Sequence, residues 1–342
     1  MKKKVLIVDD SILMLKVIGD IISSSDAFDV VGTAASGEEA LNKFIKLKPD
    51  VVTLDFEMPG EDGLLILDKM LNRRRVPVLM VSAHTKEGAE ITLHALERGA
   101  ADFMTKPSGT VSIDLYDLRD TLIEKLLVIS EINLKQFKTR RVVPAPARLR
   151  RGRGSCIAIA ASTGGVRALH EIMPALPIGA GLKGAIVIHM PPGFTSSLAE
   201  RLNNLCQVVI REAKRGELML EDQFLIAPGG EHSIVARDNG KYHIDFADAP
   251  PQLGLKPCAD FLLASVAQAY QTKAIGIVLT GMGRDGARGI EDIKANGGVT
   301  IAEDPKTAIV PGMPNAAIKT GRVDHVVRLE EIPALIVRLN AT

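Results

Sequence analysis

The chain has 342 residues, of which 46% are hydrophobic and 24% are charged, and its formal net charge at pH 7 is +1. This length fits two domains that each bury a core, and no apolar run approaches the roughly 20 residues that a membrane-spanning helix needs. Eight basic residues form a block without an acidic residue among them, namely Lys135, Lys138, Arg140, Arg141, Arg148, Arg150, Arg151 and Arg153. The rest of the chain is therefore acidic, which argues against nucleic-acid binding.

The N-terminal residues and the cysteines indicate a cytoplasmic protein. The lysines at the start are followed only by the short apolar run Val5–Val8, which is typical of a buried strand and not of a signal-peptide core. The cysteines, Cys156, Cys206 and Cys258, are odd in number and lack Cys-x-x-Cys spacing. We therefore expect buried, reduced thiols, with neither a disulfide framework nor a zinc site.

Short apolar runs alternate with helical patterns from Lys4 to about Ile129. Strands are predicted at the apolar runs Val5–Val8, Val51–Leu54 and Val78–Val81. Helices are predicted from the periodicity at Ile12–Ile22, Glu38–Lys46 and Ala89–Arg98. This repetition predicts an α/β domain over residues 1–130, with a parallel sheet and helices on both faces.

Polar residues follow the predicted strands of this domain where each strand ends. They are Asp9 and Asp10 after the first strand, Asp55 after the third, Ser82 after the fourth and Lys106 after the apolar stretch 101–104. Because the carboxyl ends of parallel strands meet at one sheet edge, we expect these side chains to converge. Such oxygen ligands suit Mg²⁺, and Asp55 would then accept a phosphoryl group whose oxygens Lys106 and Ser82 stabilise.

Any one of these residues has a simpler interpretation, because Asp and Ser often cap helices, but their joint placement favours a site. The segment closely resembles the receiver domain of two-component response regulators in Asp9-Asp10, Asp55-Phe56-Glu57-Met58-Pro59, Asp62-Gly63, Ser82 and Lys106-Pro107. The resemblance implies a flavodoxin-like (βα)5 fold and phosphorylation of Asp55 by a histidine kinase. It implies that Mg²⁺ is held by Asp9, Asp10, Asp55 and the backbone carbonyl of Glu57. It also implies a cis peptide at Lys106-Pro107 and a rotamer switch at Phe103.

A second domain follows a basic linker. Proline, glycine and charge mark residues 131–154 as exposed, and residues 155–342 again alternate between strand and helix patterns, which predicts a doubly wound, mostly parallel α/β domain. Asn239-Gly240 suits a tight turn and predicts an inserted β-hairpin with strands at Ser233–Arg237 and Tyr242–Phe246. The other predicted strands are Cys156–Ala161, Ala185–Ile188, Val208–Arg211, Ala274–Leu279 and Val299–Ala302. The predicted helices are Val166–Leu176, Ser196–Leu205, Cys258–Tyr270, Ala287–Ala295 and one from about Glu330.

Three polar residues lie at the carboxyl ends of predicted strands in the second domain. Ser162 stands between a strand and a helix, analogous to a nucleophile elbow although it lacks the G-x-S-x-G pattern. His189 ends another strand, and Asp285 lies in the glycine-rich loop 280–286 after a third. A serine hydroxyl needs an imidazole to take its proton and a carboxylate to orient that imidazole, and this trio supplies both. The glycines around Met282 would let backbone amides approach an oxyanion.

Each member of the trio also has a simpler interpretation. Ser162 would cap the following helix, His189 would be a satisfied core histidine, or the loop would bind an anion in a nucleotide-binding domain. The loop lacks the P-loop lysine and the spacing of a dinucleotide fingerprint. His232 is a rival imidazole. The residues alone therefore favour a serine hydrolase without excluding these alternatives.

Four segments of the second domain look like the chemotaxis protein-glutamate methylesterase family. They are Ala161-Ser162-Thr163-Gly164-Gly165, His189-Met190-Pro191-Pro192-Gly193-Phe194-Thr195, Ala227-Pro228-Gly229-Gly230 with His232, and Thr280-Gly281-Met282-Gly283-Arg284-Asp285-Gly286. With the receiver in front, this resemblance covers essentially the whole chain. It implies hydrolysis of glutamate γ-methyl esters on methyl-accepting chemoreceptors, with release of methanol, and deamidation of receptor glutamines.

The resemblance also implies a role for each site residue. Ser162 would be the nucleophile, His189 the base and Asp285 the carboxylate that orients it. The Met282 amide would be an oxyanion donor, and Thr163 would shape the site. Cys258 and Glu303 depart from the family, in which a serine and a glutamine are expected.

The domain order predicts that phosphorylation of Asp55 controls the hydrolase, with the unphosphorylated receiver covering the triad. We expect a histidine kinase and chemoreceptors as partners, a monomer, Mg²⁺ for the receiver and no cofactor for the hydrolase. We expect neither nucleic-acid binding nor membrane insertion. The main alternative is a non-catalytic, receiver-containing binding regulator. A DNA-binding regulator would need a basic helix-turn-helix pattern, and a metallohydrolase would need paired metal-ligand spacing; neither pattern is evident.

Overall fold

The chain forms two compact units, Met1–Phe137 and Lys138–Thr342, in a computed structural model. The structure describes residues 2–58, 61–82, 85–106, 114–132, 152 and 154–341. Most of the predicted linker 131–154 lies outside these residues, as does Pro107, on which the predicted cis peptide depends. Both therefore stay predictions. In the part of the chain that is described, no helix combines the length and apolarity that a membrane crossing requires.

The first unit is built on a parallel five-stranded sheet. The strands of this unit, including two outside the main sheet, are β1 (Lys3–Val8), β2 (Phe28–Ala34), β3 (Val51–Asp55), β4 (Glu57–Met58), β5 (Glu61–Asp62), β6 (Val78–Ser82) and β7 (Asp102–Thr105). Its helices are α1 (Ile12–Ser23), α2 (Gly37–Leu47), α3 (Gly63–Arg73), α4 (Lys86–Arg98) and α5 (Asp114–Ser130). The sheet order is β2-β1-β3-β6-β7, and β4 pairs with β5 in a separate short ladder. The predicted (βα)5 architecture is confirmed.

Side chains cap the first turns of four helices in this unit. The hydroxyl groups of Ser11, Ser36 and Thr85 accept hydrogen bonds from backbone N–H groups of α1, α2 and α4, respectively. The Asp62 carboxylate accepts one from α3 in the same way. Such caps satisfy amides that have no partner within the helix and stabilise each helix by about 1 kcal/mol. Because of these caps, α2 and α4 begin slightly before the start that apolar periodicity predicts.

The second unit is built on a parallel seven-stranded sheet. The strands of this unit, including two outside the main sheet, are β8 (Cys156–Ala161), β9 (Lys183–Ile188), β10 (Val209–Glu212), β11 (Gln223–Ile226), β12 (His232–Asp238), β13 (Lys241–Ala247), β14 (Ala274–Val278), β15 (Val299–Glu303) and β16 (His325–Val327). Its helices are α6 (Gly165–Ile172), α7 (Phe194–Leu205), α8 (Ala259–Tyr270), α9 (Ala287–Ala295), α10 (Gly312–Lys319) and α11 (Ile332–Ala341). The sheet order is β10-β11-β9-β8-β14-β15-β16, with β12 and β13 as a separate antiparallel hairpin. The doubly wound fold and the inserted hairpin are confirmed.

Several elements of the second unit differ from the sequence-based expectation. Strands β11 and β16 and helix α10 are absent from the prediction because they are short, and α10 carries Pro314 in its first turn. The helix predicted to end at Leu176 ends at Ile172, where a 3₁₀ turn containing Pro174 replaces it. The last helix begins at Ile332, after another 3₁₀ turn.

The core of the second unit lies around β8 and β14, whose residues are all buried. Cys156, Ala158 and Ala160 pack with Leu263 and Val266 of α8 in one apolar cluster. Fully burying a side chain as large as Leu263 contributes about 1.5–3 kcal/mol. This packing fixes the strands whose carboxyl ends carry the polar residues described below.

The cysteines agree with the prediction in part. None of the three forms a disulfide, and Cys156 and Cys258 are buried, but Cys206 is only half-buried. Burial raises the pKa of the Cys156 and Cys206 thiols to about 12, so both stay protonated near neutral pH.

Candidate functional site

The sheet edge of the first unit brings together the residues that the strand ends predicted. The Lys106 ammonium lies 2.7 Å from Asp55 Oδ2 and 3.1 Å from Asp9 Oδ2. Asp9 and Asp55 are buried, whereas Asp10 is exposed. The backbone N–H of Glu57 donates to Asp55 Oδ1 at 3.2 Å. One cation therefore lies close to two buried carboxylates and can offset the charge of only one of them.

Burial dominates the electrostatics of this edge. It raises the pKa of Asp55 to about 6 although the hydrogen bond and charge of Lys106 act to lower it, and the charge of Asp9 raises it further. Burial alone would lower the pKa of Lys106, but the Asp55 and Asp9 carboxylates raise it. The ionised form of Asp55 is thus held at an energetic cost, as is common for groups in functional sites.

The donor set of this edge fits a hard divalent cation. Oxygen atoms of Asp9, Asp10 and Asp55 all lie within 4.8 Å of one another. Among the described residues, Asp9 Oδ2 is buried and accepts no hydrogen bond, although the Lys106 ammonium lies close by. Carboxylate oxygens with room for water and phosphate oxygens are what Mg²⁺ prefers, so these residues suit it.

Two other predicted residues flank the acidic cluster. Ser82 is buried at the end of β6, and its hydroxyl donates to the Gly88 carbonyl of α4 at 3.2 Å. Phe103 on β7 is also buried, and the Lys125 ammonium lies 5.8 Å from its ring centroid. Ser82 therefore contacts α4 from the same edge as Asp55, while Phe103 faces inward.

We expect Asp55→Asn to raise the thermal unfolding midpoint of the first unit by about 2–5 °C at about pH 7.5 without Mg²⁺. The pKa of Asp55 lies above its usual 3.8, so ionisation of Asp55 destabilises the folded state above about pH 6 and not below about pH 4. The advantage of the variant should therefore fade as the pH falls through this window. Calorimetry over pH measures it.

The control for this prediction is Asp29→Asn, which removes an exposed carboxylate on β2. Its unfolding midpoint should match that of the wild type at both ends of the pH range. An Asp55→Asn protein less stable than the wild type at about pH 7.5 would contradict the pKa shift of Asp55.

The second unit also collects its polar residues at one sheet edge. Ser162, His189 and Asp285 follow β8, β9 and β14, and β8 lies between the other two strands. The imidazole Nε2 of His189 lies 2.7 Å from Asp285 Oδ2. Strands β9, β10 and β11 lie on one side of β8, whereas β14, β15 and β16 lie on the other, so the strand order reverses between β8 and β14. In open α/β sheets, ligands bind at such a switch point.

Backbone contacts hold Ser162 beside His189. The Ser162 amide donates to the Thr280 carbonyl at 3.0 Å, and the His189 amide donates to the Ala161 carbonyl at 3.2 Å. The Ser162 hydroxyl forms no hydrogen bond with any described residue. Since Nε2 of His189 faces a carboxylate, the Nδ1 atom is the imidazole nitrogen left to accept a proton.

The Asp285 carboxylate is buried at the N-terminus of α8. Oδ2 accepts the Ala259 amide at 2.6 Å, and Oδ1 accepts the amides of Asp260 at 3.0 Å and Gly286 at 2.9 Å. The Cys258 thiol donates to Oδ1 at 3.0 Å. Asp285 therefore caps α8 from outside the helix while it contacts His189.

These donors explain the ionisation of Asp285. Burial alone would raise the pKa of Asp285, but the His189 hydrogen bond and charge, the Ala259 amide and the Cys258 thiol hold it below its usual value. The helix N-terminus favours the carboxylate in the same direction. Asp285 is thus ionised at neutral pH and fixes the orientation of the imidazole.

Four helices of the second unit begin at this edge, and none of them is capped by the side chain of its own N-cap residue. Helices α6, α7 and α9 follow Gly164, Gly193 and Gly286, and α8 follows Cys258. Their first-turn amides can therefore bond to groups from elsewhere in the chain, as amides of α8 do with Asp285 and the Gly289 amide of α9 does with Asp260. The Met282 amide, in the loop before α9, likewise donates no hydrogen bond within the described part of the chain.

Two threonines brace the loop around Ser162. Thr163 is buried, and its carbonyl accepts the Thr280 hydroxyl at 2.9 Å. The Thr280 amide donates to the buried Glu303 carboxylate at 2.9 Å, and the Thr307 hydroxyl donates to the same group at 3.0 Å. Glu303 therefore positions the loop as a hydrogen-bond acceptor.

The rival imidazole, His232, is engaged elsewhere. It is fully buried, its Nδ1 accepts the Cys258 amide at 3.1 Å, and its Nε2 lies 3.1 Å from the Pro250 carbonyl. Its ring also stacks on Phe261 at a centroid distance of 4.3 Å. Both ring nitrogens are therefore in use, and neither faces Ser162.

Gly281→Ala is expected to lower hydrolysis by this site at least about tenfold and to destabilise the chain by about 1–3 kcal/mol. A Cβ at Gly281 would overlap the Met313 sulfur and lie 2.8 Å from Ser162 Cβ, so Ser162 has to move. A shift of about 1 Å at a nucleophile is enough to lower a rate by this much.

The matched control is Gly276→Ala in the middle of β14. A Cβ there would lie 3.0 Å from Ile293 and 3.1 Å from Leu263, away from the sheet edge. This variant should lose stability while it retains the hydrolysis rate. Equal rates for the two variants would show that Gly281 does not position Ser162.

His189 and Asp285 are in contact, and Ser162 follows the neighbouring strand without a hydrogen bond from its hydroxyl to His189 among the described residues, but the surroundings of Asp285 were not predicted. The amides of Ala259 and Asp260 and the Cys258 thiol are contributed by a helix distant in sequence from Asp285. The sequence feature that could have indicated them is Cys258 at the start of α8. Cysteine is not a common N-cap residue, so the first amides of α8 need an acceptor from another part of the chain.

Comparison with known proteins gives the same two-part division. The family model described as CheB methylesterase matches residues 157–336, and the model described as response regulator receiver domain matches residues 5–115. The chain is 44% identical over 351 aligned positions to the protein-glutamate methylesterase/protein-glutamine glutaminase of Pyrococcus abyssi, covering 98% of this chain and 93% of that protein. The Bacillus subtilis protein of the same name is 40% identical over 348 aligned positions, covering 97% of each chain.

A solved structure supports the fold of the second unit. The Thermotoga maritima CheB methylesterase catalytic domain is 39% identical, with a TM-score of 0.54, and the match covers 54% of this chain and 98% of that domain. Together with the two relatives that align over nearly the full length, this match identifies the family. The chain belongs to the CheB methylesterase family and carries a response regulator receiver domain ahead of its methylesterase domain.

Proposed function

We propose that this chain is a phosphorylation-activated protein-glutamate methylesterase that also deamidates protein glutamine, with methyl-accepting chemoreceptors as substrates. The observation that supports this most strongly is the contact between the His189 imidazole and the buried Asp285 carboxylate, beside an unengaged Ser162 hydroxyl. The relatives named protein-glutamate methylesterase/protein-glutamine glutaminase support glutamate esters and glutamines of proteins as the substrates, and the chemoreceptors follow from the resemblance in sequence.

The proposed reaction is acyl transfer through Ser162. The Ser162 Oγ–H proton passes to Nδ1 of His189 as Oγ attacks the γ-carbonyl carbon of a glutamate methyl ester, and Asp285 stabilises the resulting imidazolium. The carbonyl oxygen becomes an oxyanion that accepts a hydrogen bond from the Met282 amide. The imidazolium then protonates the methoxide leaving group, which departs as methanol.

Hydrolysis of the acyl-enzyme uses the same groups in reverse. A water molecule gives a proton to His189 as its oxygen attacks the acyl carbon, and the proton returns to Ser162 Oγ as the C–O bond to the enzyme breaks. A glutamine side chain enters the same path, with ammonia in place of methanol. Thr163 and Glu303 contribute by holding the loops that carry Ser162 and Met282.

In the receiver domain, Asp55 is proposed as the phosphoacceptor. Asp9, Asp10, Asp55 and the Glu57 carbonyl would hold Mg²⁺, whose charge offsets that of the transferred phosphoryl oxygens. Lys106 would bind one of these oxygens and Ser82 another, and Phe103 would respond as the switch residue. A histidine kinase would supply the phosphoryl group, and the chain would act in the cytoplasm as a monomer.

Mass spectrometry of receptor peptides tests the activity. Methylated chemoreceptor membranes incubated with the full chain, acetyl phosphate and Mg²⁺ should lose methyl groups from glutamate, and receptor glutamines should become glutamates. Loss of methyl groups without glutamine conversion would restrict the chain to the esterase. Unchanged receptor peptides would leave the non-catalytic binding regulator as the better account.

A further inference from the structure

Helix α8 begins in an unusual way. Its N-cap residue, Cys258, makes no hydrogen bond to an amide of its own helix. The Asp285 carboxylate takes that place, and the Cys258 thiol donates to the same carboxylate at 3.0 Å. The side chain at the N-cap position thus acts as a donor to Asp285 and not as an acceptor for the helix.

The Cys258 thiol has little freedom to do anything else. The residue is fully buried, and its amide donates to His232 Nδ1 at 3.1 Å. Burial and the charge of Asp285 raise the pKa of the thiol far above its usual value, so it stays protonated and keeps its S–H donor. The neutral Gln252 side chain is a more distant polar neighbour, with an oxygen 3.8 Å from the sulfur, and Asp260 also lies close to the thiol.

We propose that Cys258 is a positioning residue that sets the basicity of His189 through its hydrogen bond to Asp285. Each donor on a carboxylate offsets part of its negative charge, so less charge acts on the imidazolium at the other oxygen. A weak S–H donor therefore leaves Asp285 with a stronger hold on the imidazolium than a hydroxyl would. This inference rests on the proposed role of His189 as the base.

Other charged groups also face this carboxylate. Asp260 of α8 lies next to it, and burial followed by the charge of Asp285 raises the pKa of Asp260 to about 6 although the Gly289 amide and Arg288 of α9 act to lower it. His232 of β12 contacts the Cys258 amide. Since Asp260 titrates in the same pH range as imidazole, the measurement is made in both the native and the Asp260→Asn backgrounds.

The test is the pH titration of the His189 imidazole in the full chain by NMR with isotope-labelled histidine, with the signal assigned from His189→Gln. We expect Cys258→Ala to raise the pH midpoint of this titration by about 0.5–1 unit. Cys258→Ser should return the midpoint to the wild-type value or slightly below it. Cys156→Ala, which removes a buried thiol elsewhere in the core, should leave it unchanged.

An unchanged midpoint in Cys258→Ala would overturn the proposal, and so would equal shifts in Cys258→Ala and Cys258→Ser, since a merely structural effect would not be rescued by a hydroxyl. The titration does not depend on hydrolysis. Failure of the wild type to release methanol would therefore count against the proposed function alone. In a hydrolytically active protein, the acidic limb of the kcat/KM profile should move with the imidazole midpoint in Cys258→Ala.

Discussion

Ser162→Ala is expected to lower kcat/KM for methyl ester hydrolysis by about 10⁴-fold or more, because the acyl-enzyme cannot form without the hydroxyl. His189 and Asp285 would remain in contact but would have no proton to take. The Ser162 hydroxyl has no hydrogen-bond partner among the described residues, so its removal should leave the thermal unfolding midpoint within about 1 °C of the wild type. The measurements are methanol release and calorimetry on the same preparation.

Ser155→Ala is the matched control. Ser155 is fully buried one residue before β8, the strand that Ser162 follows, and its hydroxyl has no partner in the described part of the chain. Its loss should change neither rate nor stability appreciably. Residual activity in Ser162→Ala above about 1% of the wild type would mean that another group is the nucleophile.

Asp285→Asn is expected to lower kcat about 10³–10⁴-fold and also to destabilise the chain by about 1–3 kcal/mol. An amide cannot stabilise the imidazolium, and its N–H₂ group would orient His189 in the wrong tautomer. The same N–H₂ group would face at least one of the donors from Ala259, Asp260 and Gly286, leaving it unsatisfied in a buried place. Kinetics and urea unfolding measure the two effects separately.

Asp324→Asn is the matched control, because it removes a hydrogen-bonded carboxylate that lies outside the triad. Asp324 also has a lowered pKa despite partial burial, because Lys294 and the Thr300 amide bond to it, but it lies just before β16 and away from the triad. It should lose stability and retain kcat. A normal kcat in Asp285→Asn would remove Asp285 from the mechanism.

The polar residues at the strand ends were predictable from sequence because parallel strands leave little choice of place. A buried run of four or five apolar residues fixes a strand, and the residue after it must lie at the carboxyl edge of the sheet. Asp9, Asp55 and Lys106 meet for this reason, as do His189 and Asp285. In each unit, these residues follow strands of one sheet that are adjacent or separated by no more than two strands, so they share one stretch of its carboxyl edge.

The support of Asp285 was not predictable in this way. Cys258 lies 27 positions from Asp285 in the chain, and nothing in either segment indicates which helix start faces which strand end. The engagement of His232 with the Cys258 amide and the Pro250 carbonyl is equally a product of tertiary packing. Sequence could therefore name His232 as a rival base but could not show that both of its nitrogens are occupied.

Short elements were missed for a different reason. Strand β11 begins with Gln223 and contains only three apolar residues, and β16 contains two, so neither strand contains the four-residue apolar run from which other strands are predicted. Both are held by pairing within the sheet, β11 between β9 and β10, and β16 against β15. Their existence depends on the sheet and not on their own composition.

The most direct test of the account is labelled methanol release from methylated chemoreceptor membranes by three full-length proteins, the wild type, Ser162→Ala and Asp55→Asn, each with and without acetyl phosphate and Mg²⁺. We expect release by the wild type that the phosphodonor increases, no release by Ser162→Ala, and a basal rate in Asp55→Asn that the phosphodonor does not change. Release by Ser162→Ala at the wild-type rate, or equal stimulation of Asp55→Asn, would contradict it.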